Sequence, residues 1–238
     1  MQRIIFCHKK LPKDFPYTDY TVIRNDQNSE LDHRIYSEIA GFQLFHKQLQ
    51  KSMEVTMNDH VTPDDFFSLN HYRRLIDRDC VNRHYIAQPI ILPGSVAQHY
   101  AYFHNGKDLE ASVEAMKQCF PHLVEGYVQT LNGNRFIPYN ICVTTAGTLC
   151  DYFNYLITVL KKTMEIIGIT DYESAIKRVE SDPEYTRKLE NRNTDVKYQA
   201  RIPSFIAERL STFYWLLVSQ KVPLFPARVM LIEQGQKI

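Results

Sequence analysis

Apolar residues along this chain come in two alternating patterns, short solid runs and spaced series. Arg3 to Cys7 and Tyr20 to Ile23 are runs of strand length; His8-Lys9-Lys10 closes the first and Arg24-Asn25-Asp26-Gln27-Asn28 the second. Ile35, Ile39, Phe42, Phe45 and Leu49 then recur at three- and four-residue steps, which predicts an amphipathic helix. After Pro63-Asp64-Asp65, the run Phe66 to Leu69 predicts a buried strand leading straight into His71-Tyr72-Arg73-Arg74. Gln88 to Leu92 reads as a strand stopped by Pro93-Gly94. Ser95 is placed to cap a helix over Val96 to Phe103, and Asp108 a second over Leu109 to Cys119.

Asn132-Gly133 marks a turn, Tyr139 to Val143 a strand, and Thr144 or Thr145 the start of a long apolar helix. Residues Asp171 to Arg201 are polar with weak helical periodicity and read as a surface excursion. Pro203 fits the first turn of a last helix with Phe205, Ile206, Leu210, Phe213, Trp215, Leu216 and Leu217 mostly on its buried side, and Arg228 to Ile232 reads as a closing strand or strap. The alternation predicts an α/β fold with a mainly parallel central sheet flanked by helices, in a single domain over 1–238.

Composition narrows the classes. A chain of 238 residues with 44% hydrophobic and 23% charged residues has the make-up of a folded globular protein. A net charge of +1 gives no overall pull on nucleic acid, so a nucleic-acid partner is not expected and any anion site must be a local cluster. The five cysteines are odd in number and lack CxxC spacing, which predicts a reducing compartment and no structural zinc. The N-terminus has too few apolar residues for a signal peptide, and the longest apolar-rich stretch is broken by Asp151, Lys161, Lys162 and Glu165. A cytoplasmic protein is expected.

In open α/β sheets, ligands bind beyond the carboxyl ends of strands. His8-Lys9-Lys10, Asn25-Asp26, His71 to Arg74 and Asn140 fall at such ends. Two adjacent arginines after a buried strand suit a diphosphate, because each guanidinium offers a planar fork of donors. Asp64, Asp65, Asp77 and Asp79 are the alternative partners, in a surface ion-pair network. Asp77-Arg78-Asp79 is a literal Asp-x-Asp, and a charged loop accounts for it as well as a metal site does. His99 and His104 lie five apart, off the spacing of a helical metal pair. His33, His46, His60, His84 and His122 read as surface or packing residues. Glycine-rich phosphate loops and GxSxG are missing, which argues against a P-loop NTPase or an α/β-hydrolase.

The phrases SEIAGFQLFHKQL, FFSLNHYRR and RIPSFIAERLSTFYWL, in that order, resemble a bacterial family of capsular-polysaccharide and lipopolysaccharide glycosyltransferases, formerly catalogued as a domain of unknown function. Ser37-Glu38-Ile39, Tyr100, His104-Asn105, Tyr139-Asn140 and Phe205 to Leu210 extend the likeness over nearly the whole chain. It implies a single GT-A-like, Rossmann-like domain acting on a nucleotide-diphospho-sugar, with UDP-galactofuranose or UDP-galactose as donor. The acceptor would be a lipid-linked or oligosaccharide chain, with peripheral contact at the inner face of the membrane. By the same resemblance His8, Lys9, Asn25, Asp26, Glu38, His71, Tyr72, Arg73, Arg74, Asn140 and Arg209 would surround the donor, with Glu208 as general base. His71 to Arg74 would stand where related folds keep an Asp-x-Asp, so a divalent manganese or magnesium ion is disfavoured and no metal ligand is assigned. The chain departs from the pattern at Arg24 to Asn28, where many relatives carry Gly-Asp-Asn, and in the longer segment 171–201. A phosphotransferase using Arg73 and Arg74, or a protein that only binds glycan, are the other classes open to this sequence.

Overall fold

The computed structural model describes residues 1–7, 15, 18–26, 29–54, 60–192 and 194–232. Its main sheet contains β1 (Gln2–Cys7), β2 (Tyr20–Arg24), β3 (Phe66–His71), β4 (Arg74–Ile76) and β5 (His84–Ala87). A separate small sheet pairs β6 (Ile90–Ile91) with β7 (Arg135–Phe136), while β8 (Cys142–Thr145), β9 (Leu224–Ala227) and β10 (Val229–Leu231) complete the main one. The helices are α1 (His33–Tyr36), α2 (Glu38–Glu54), α3 (Val96–Phe103), α4 (Gly106–Cys119) and α5 (Val124–Asn132). They continue with α6 (Ala146–Ile166), α7 (Tyr172–Ser181), α8 (Pro183–Arg192), α9 (Val196–Gln199) and α10 (Ile202–Val218).

β1 lies between β2 and β3 and is parallel to both, so the carboxyl ends of these three strands share one edge. Beyond them β3 and β8 pair antiparallel, as do β8 and β5, and β9 joins β5 in parallel. The expected α/β sheet flanked by helices is present. At its end β3 doubles back through Tyr72-Arg73 into β4, with His71 opposite Arg74, and β10 closes that edge. His71 to Arg74 is therefore a tight hairpin, where the sequence pattern gave a strand running into a polar cluster.

Packing fixes where these ends point. Phe6 on β1 meets Phe42 at 4.8 Å and Phe45 at 6.2 Å, and a Cβ on Gly41 would come within 2.6 Å of the Phe6 ring. Helix α2 thus lies close on the strand and delivers its first residue, Glu38, to the carboxyl edge. The long α6, capped by Thr145 as the sequence suggested, sits in the core against α2 and α10. Tyr152 on α6 packs 5.1 Å from Trp215 and bonds Ser211 at 2.6 Å, which fixes α10 in register.

Several sequence expectations shift. The helix beginning near Ile35 is broken at Ser37, whose φ of 50° ends α1 and starts α2 on a new axis. Asn105, not Asp108, caps α4; Asp108 is wholly buried and receives Arg178 of α7 and Tyr185 of α8. Within Gln88 to Leu92 only Ile90 and Ile91 are extended, while β5 and the proline-bearing β9 carry the sheet. The strand expected from Tyr139 starts at Cys142, because Tyr139 turns the chain with φ 66°. Segment 171–201 contains three helices with Ala175, Val179, Tyr185 and Gln199 buried, so it is a packed wall where a surface excursion was expected. Among the described residues no helix is long and apolar enough to cross a membrane.

Candidate active site

A cavity of about 450 Å³ opens at the carboxyl edge of the parallel strands. Glu38 from α2 and His71, Arg73 and Arg74 from the hairpin line one side; His99 and Phe103 of α3, with His104 just beyond it, line another. Tyr198 of α9 and a stripe along α10 complete the wall. Within that stripe Arg201, Phe205, Glu208 and Arg209 stand at steps of four, three and one, so a single helix face presents them all.

Two carboxylates in this cavity have been pushed apart. Burial raises the pKa of Glu208, nearby Glu38 adds to the rise, and Arg209, Arg74 and the Tyr139 N–H only partly oppose it. Burial also acts on Glu38, but His71, a 3.0 Å hydrogen bond from Asn140, its own backbone N–H and Arg201 outweigh it. Glu38 is held below the ordinary carboxylate range and stays ionised, whereas Glu208 takes up a proton more readily. Divergent environments of this kind separate acid–base roles.

The arginines divide in the same way. Arg209 is only 2% exposed and donates to the Phe205 carbonyl at 2.9 Å and to Glu208 at 3.1 Å. Its other terminal nitrogen lies 3.0 Å from His99 Nδ1. A guanidinium has no acceptor, so that histidine nitrogen carries the lone pair, and burial together with Arg209 lowers the pKa of His99. The rings of Tyr100 and Phe136 enclose the guanidinium at 5.0 and 4.9 Å. Arg209 is thus committed to orienting Glu208. Arg74 lies 4.3 Å over the Tyr139 ring with its Nε buried and unpartnered, and Arg73 is exposed. Among the described residues neither forms an ion pair: Asp65 accepts from Thr62, Asp77 accepts the N–H of Asp79, and both aspartates lie outside the cavity wall. Arg201 reaches Ser37 Oγ at 2.9 Å.

The remaining candidates occupy other places. Asn140 is buried behind Glu38 and accepts from Ser211 at 2.8 Å. Asn25 is buried one layer further back, donating to the Ser37 carbonyl, and Asp26 is gripped by Arg24 at 2.6 and 2.9 Å. Tyr72 packs with Ile5, Cys7, Tyr20 and Leu75, away from the cavity. His8 and Lys9 lie outside the described residues. Sequence reasoning missed His99, Phe103, Tyr198, Arg201 and Phe205 as site residues; the three- and four-residue spacing from Arg201 to Glu208 was the available signal. No cluster of three or more His, Cys, Asp or Glu side chains suited to a metal ion occurs among the described residues.

Comparison with known proteins adds to this geometry. Residues 82–181 match a family described as Domain of unknown function (DUF4422). No curated protein matches the sequence. Among solved structures, the apo form of WbbM, a bifunctional glycosyltransferase, superposes with a TM-score of 0.70 at 12% identity. The likeness covers 98% of this chain and 45% of that one, so this chain spans about half the length of the protein it resembles. At that identity the fold is what the two share: a mixed α/β domain of the GT-A-like kind.

Proposed function

We propose that this chain is a glycosyltransferase that moves a sugar from a nucleotide-diphospho-sugar, UDP-galactofuranose or UDP-galactose, to a growing surface-polysaccharide acceptor. The work is placed at the cytoplasmic face of the membrane, on a lipid-linked or oligosaccharide chain. The observation that carries the reading is one cavity holding a carboxylate of raised pKa beside two arginines that form no ion pair among the described residues. In the reaction the acceptor oxygen attacks the anomeric carbon and its proton passes to Glu208. The bond from that carbon to the diphosphate oxygen breaks, and the leaving group keeps the electron pair. Arg73 and Arg74 meet the charge that develops there, while Arg209 holds Glu208 in place. Glu38, kept ionised, balances His71 and Arg201 and spaces them around the donor.

Thermal shift against a nucleotide panel tests the donor: UDP raises the melting temperature by an amount set by mass action, and other nucleotides raise it less. Mass spectrometry of incubations with UDP-sugars then reads hydrolysis and transfer. Equal shifts for every nucleotide, with no sugar released, would remove the proposal.

A further inference from the structure

One end of the cavity has a different chemistry from the rest. Tyr198 and Phe103 are 42% and 38% exposed, although both are large rings beside a pocket otherwise lined by charge. They come from separate helices and gather around His104, 6.4 Å from Phe103 and 6.5 Å from Tyr198; Phe205 stacks on that imidazole at 3.9 Å and 19° and lies 5.0 Å from Tyr198. Burial lowers the His104 pKa to about 3, so this imidazole is neutral and the charge beside the ledge is Arg201, 5.7 Å over the Phe205 ring. Exposed rings held rigidly beside a polar site are a recognition surface for the flat, C–H-rich face of another ring.

Two ring ligands could stack here, a sugar of the acceptor or the base of the donor nucleotide. Reading a base needs polar groups aimed at its edge, and two of those beside the ledge, Gln199 and Ser204, are already engaged. Gln199 bonds His104 Nδ1 through its oxygen at 3.0 Å, and through its nitrogen the Phe103 carbonyl and Thr194 at 3.2 Å each. Ser204 donates to the Ile35 carbonyl at 2.9 Å. The ledge also lies one helical turn from Glu208, Phe205 being three residues before it on α10, and the group that takes the acceptor's proton must adjoin the acceptor.

We propose that the ledge formed by the exposed rings of Phe103 and Tyr198, backed by the buried Phe205, is the acceptor subsite, which stacks a pyranose or furanose ring of the glycan and presents its hydroxyl to Glu208. This rests on the glycosyltransferase reading. Its test uses the whole chain with Tyr198→Ala, Phe103→Ala and the ring-preserving Tyr198→Phe. With acceptor supplied, the alanine variants raise the acceptor KM about tenfold with kcat nearly unchanged, and Tyr198→Phe stays close to wild type. Hydrolysis of UDP-sugar without acceptor, and the UDP thermal shift, stay at wild-type values in all three. An unchanged acceptor KM overturns the subsite, and so does a lost UDP shift, which would place the nucleobase on the ledge. Saturation-transfer NMR with methyl hexopyranosides separates this proposal from the reading beneath it. Saccharide contact that Tyr198→Ala abolishes supports the ledge even in a protein that transfers nothing, and no contact in the wild type overturns it.

Discussion

The hairpin and helix α10 both bring arginine to the same cavity and hold it in opposite ways. On α10, Arg209 has two aromatic rings, a carbonyl, a histidine and a carboxylate around it, and only 2% of it is exposed. On the hairpin, Arg73 is exposed, and Arg74 lies over the face of Tyr139 and acts on Glu208 through space without an ion pair among the described residues. Arg74 and Arg209 both keep a buried, unpartnered Nε, but the two terminal nitrogens of Arg209 are engaged inside the protein, so it positions a neighbour. A charge left open is available to a ligand. The contrast separates residues that sequence reasoning grouped together as donor-binding.

The sharpest way to test it is at Glu208, the residue that Arg209 serves. Glu208→Gln keeps the shape but accepts no proton, and turnover is expected to fall about 10²–10⁴-fold while UDP binding holds. In the wild type the acid limb of the pH–rate profile belongs to this group. A base works ionised, so activity rises as pH climbs through its pKa, and burial places that limb above the ordinary carboxylate range. Near wild-type turnover in the variant would return Glu208 to a purely structural role.

A second large effect belongs to stability. Asp108→Ala leaves Arg178 without its buried partner, and urea titration should report a loss of about 3 kcal/mol. The donor effect is smaller: Arg73→Ala or Arg74→Ala should weaken UDP binding by about 1.5–3 kcal/mol in calorimetry, with the melting temperature in the absence of nucleotide unchanged. If both variants bind UDP as the wild type does, the open arginines do not serve the donor and the comparison fails. The smallest expected effect is none at all. Excess EDTA should leave turnover where it was, since fixed cations stand at the hairpin; loss of activity restored by manganese would bring Asp77 and Asp79 into the site.

The sequence made one half of the site legible and hid the other for a physical reason. His71 to Arg74 was visible because a polar cluster ends an apolar strand, while Glu208-Arg209 stood out through the family resemblance of the segment Phe205 to Leu210. Helices α7 to α9 bury Ala175, Val179, Tyr185 and Gln199, a face too small and too polar to register as periodic, so Tyr198 and Arg201 were read as surface. Asp108 was taken for a cap because burial of an acid cannot be inferred before its partners, 70 and 77 residues away, are known. Strand β5 is flanked by Asp79, Asn82, Arg83 and Gln88, and β9 contains Pro226, each of which weakens a run that the sheet nonetheless accepts. Helix α10, strongly apolar along most of its length, begins where Pro203 marked its first turn.

The contact between Arg201 and Ser37 joins positions 164 apart in the chain, and Ser204 meets the Ile35 carbonyl across 169. Loop closure over such distances comes late, after nearer segments have paired. On the ribosome, the sheet edge and Glu38 emerge long before the helix that carries Glu208. A nascent chain can therefore pair β1 to β5 and β8 while Glu208, β9 and β10 have yet to be synthesised. The cavity wall is complete only when the chain's last third has docked.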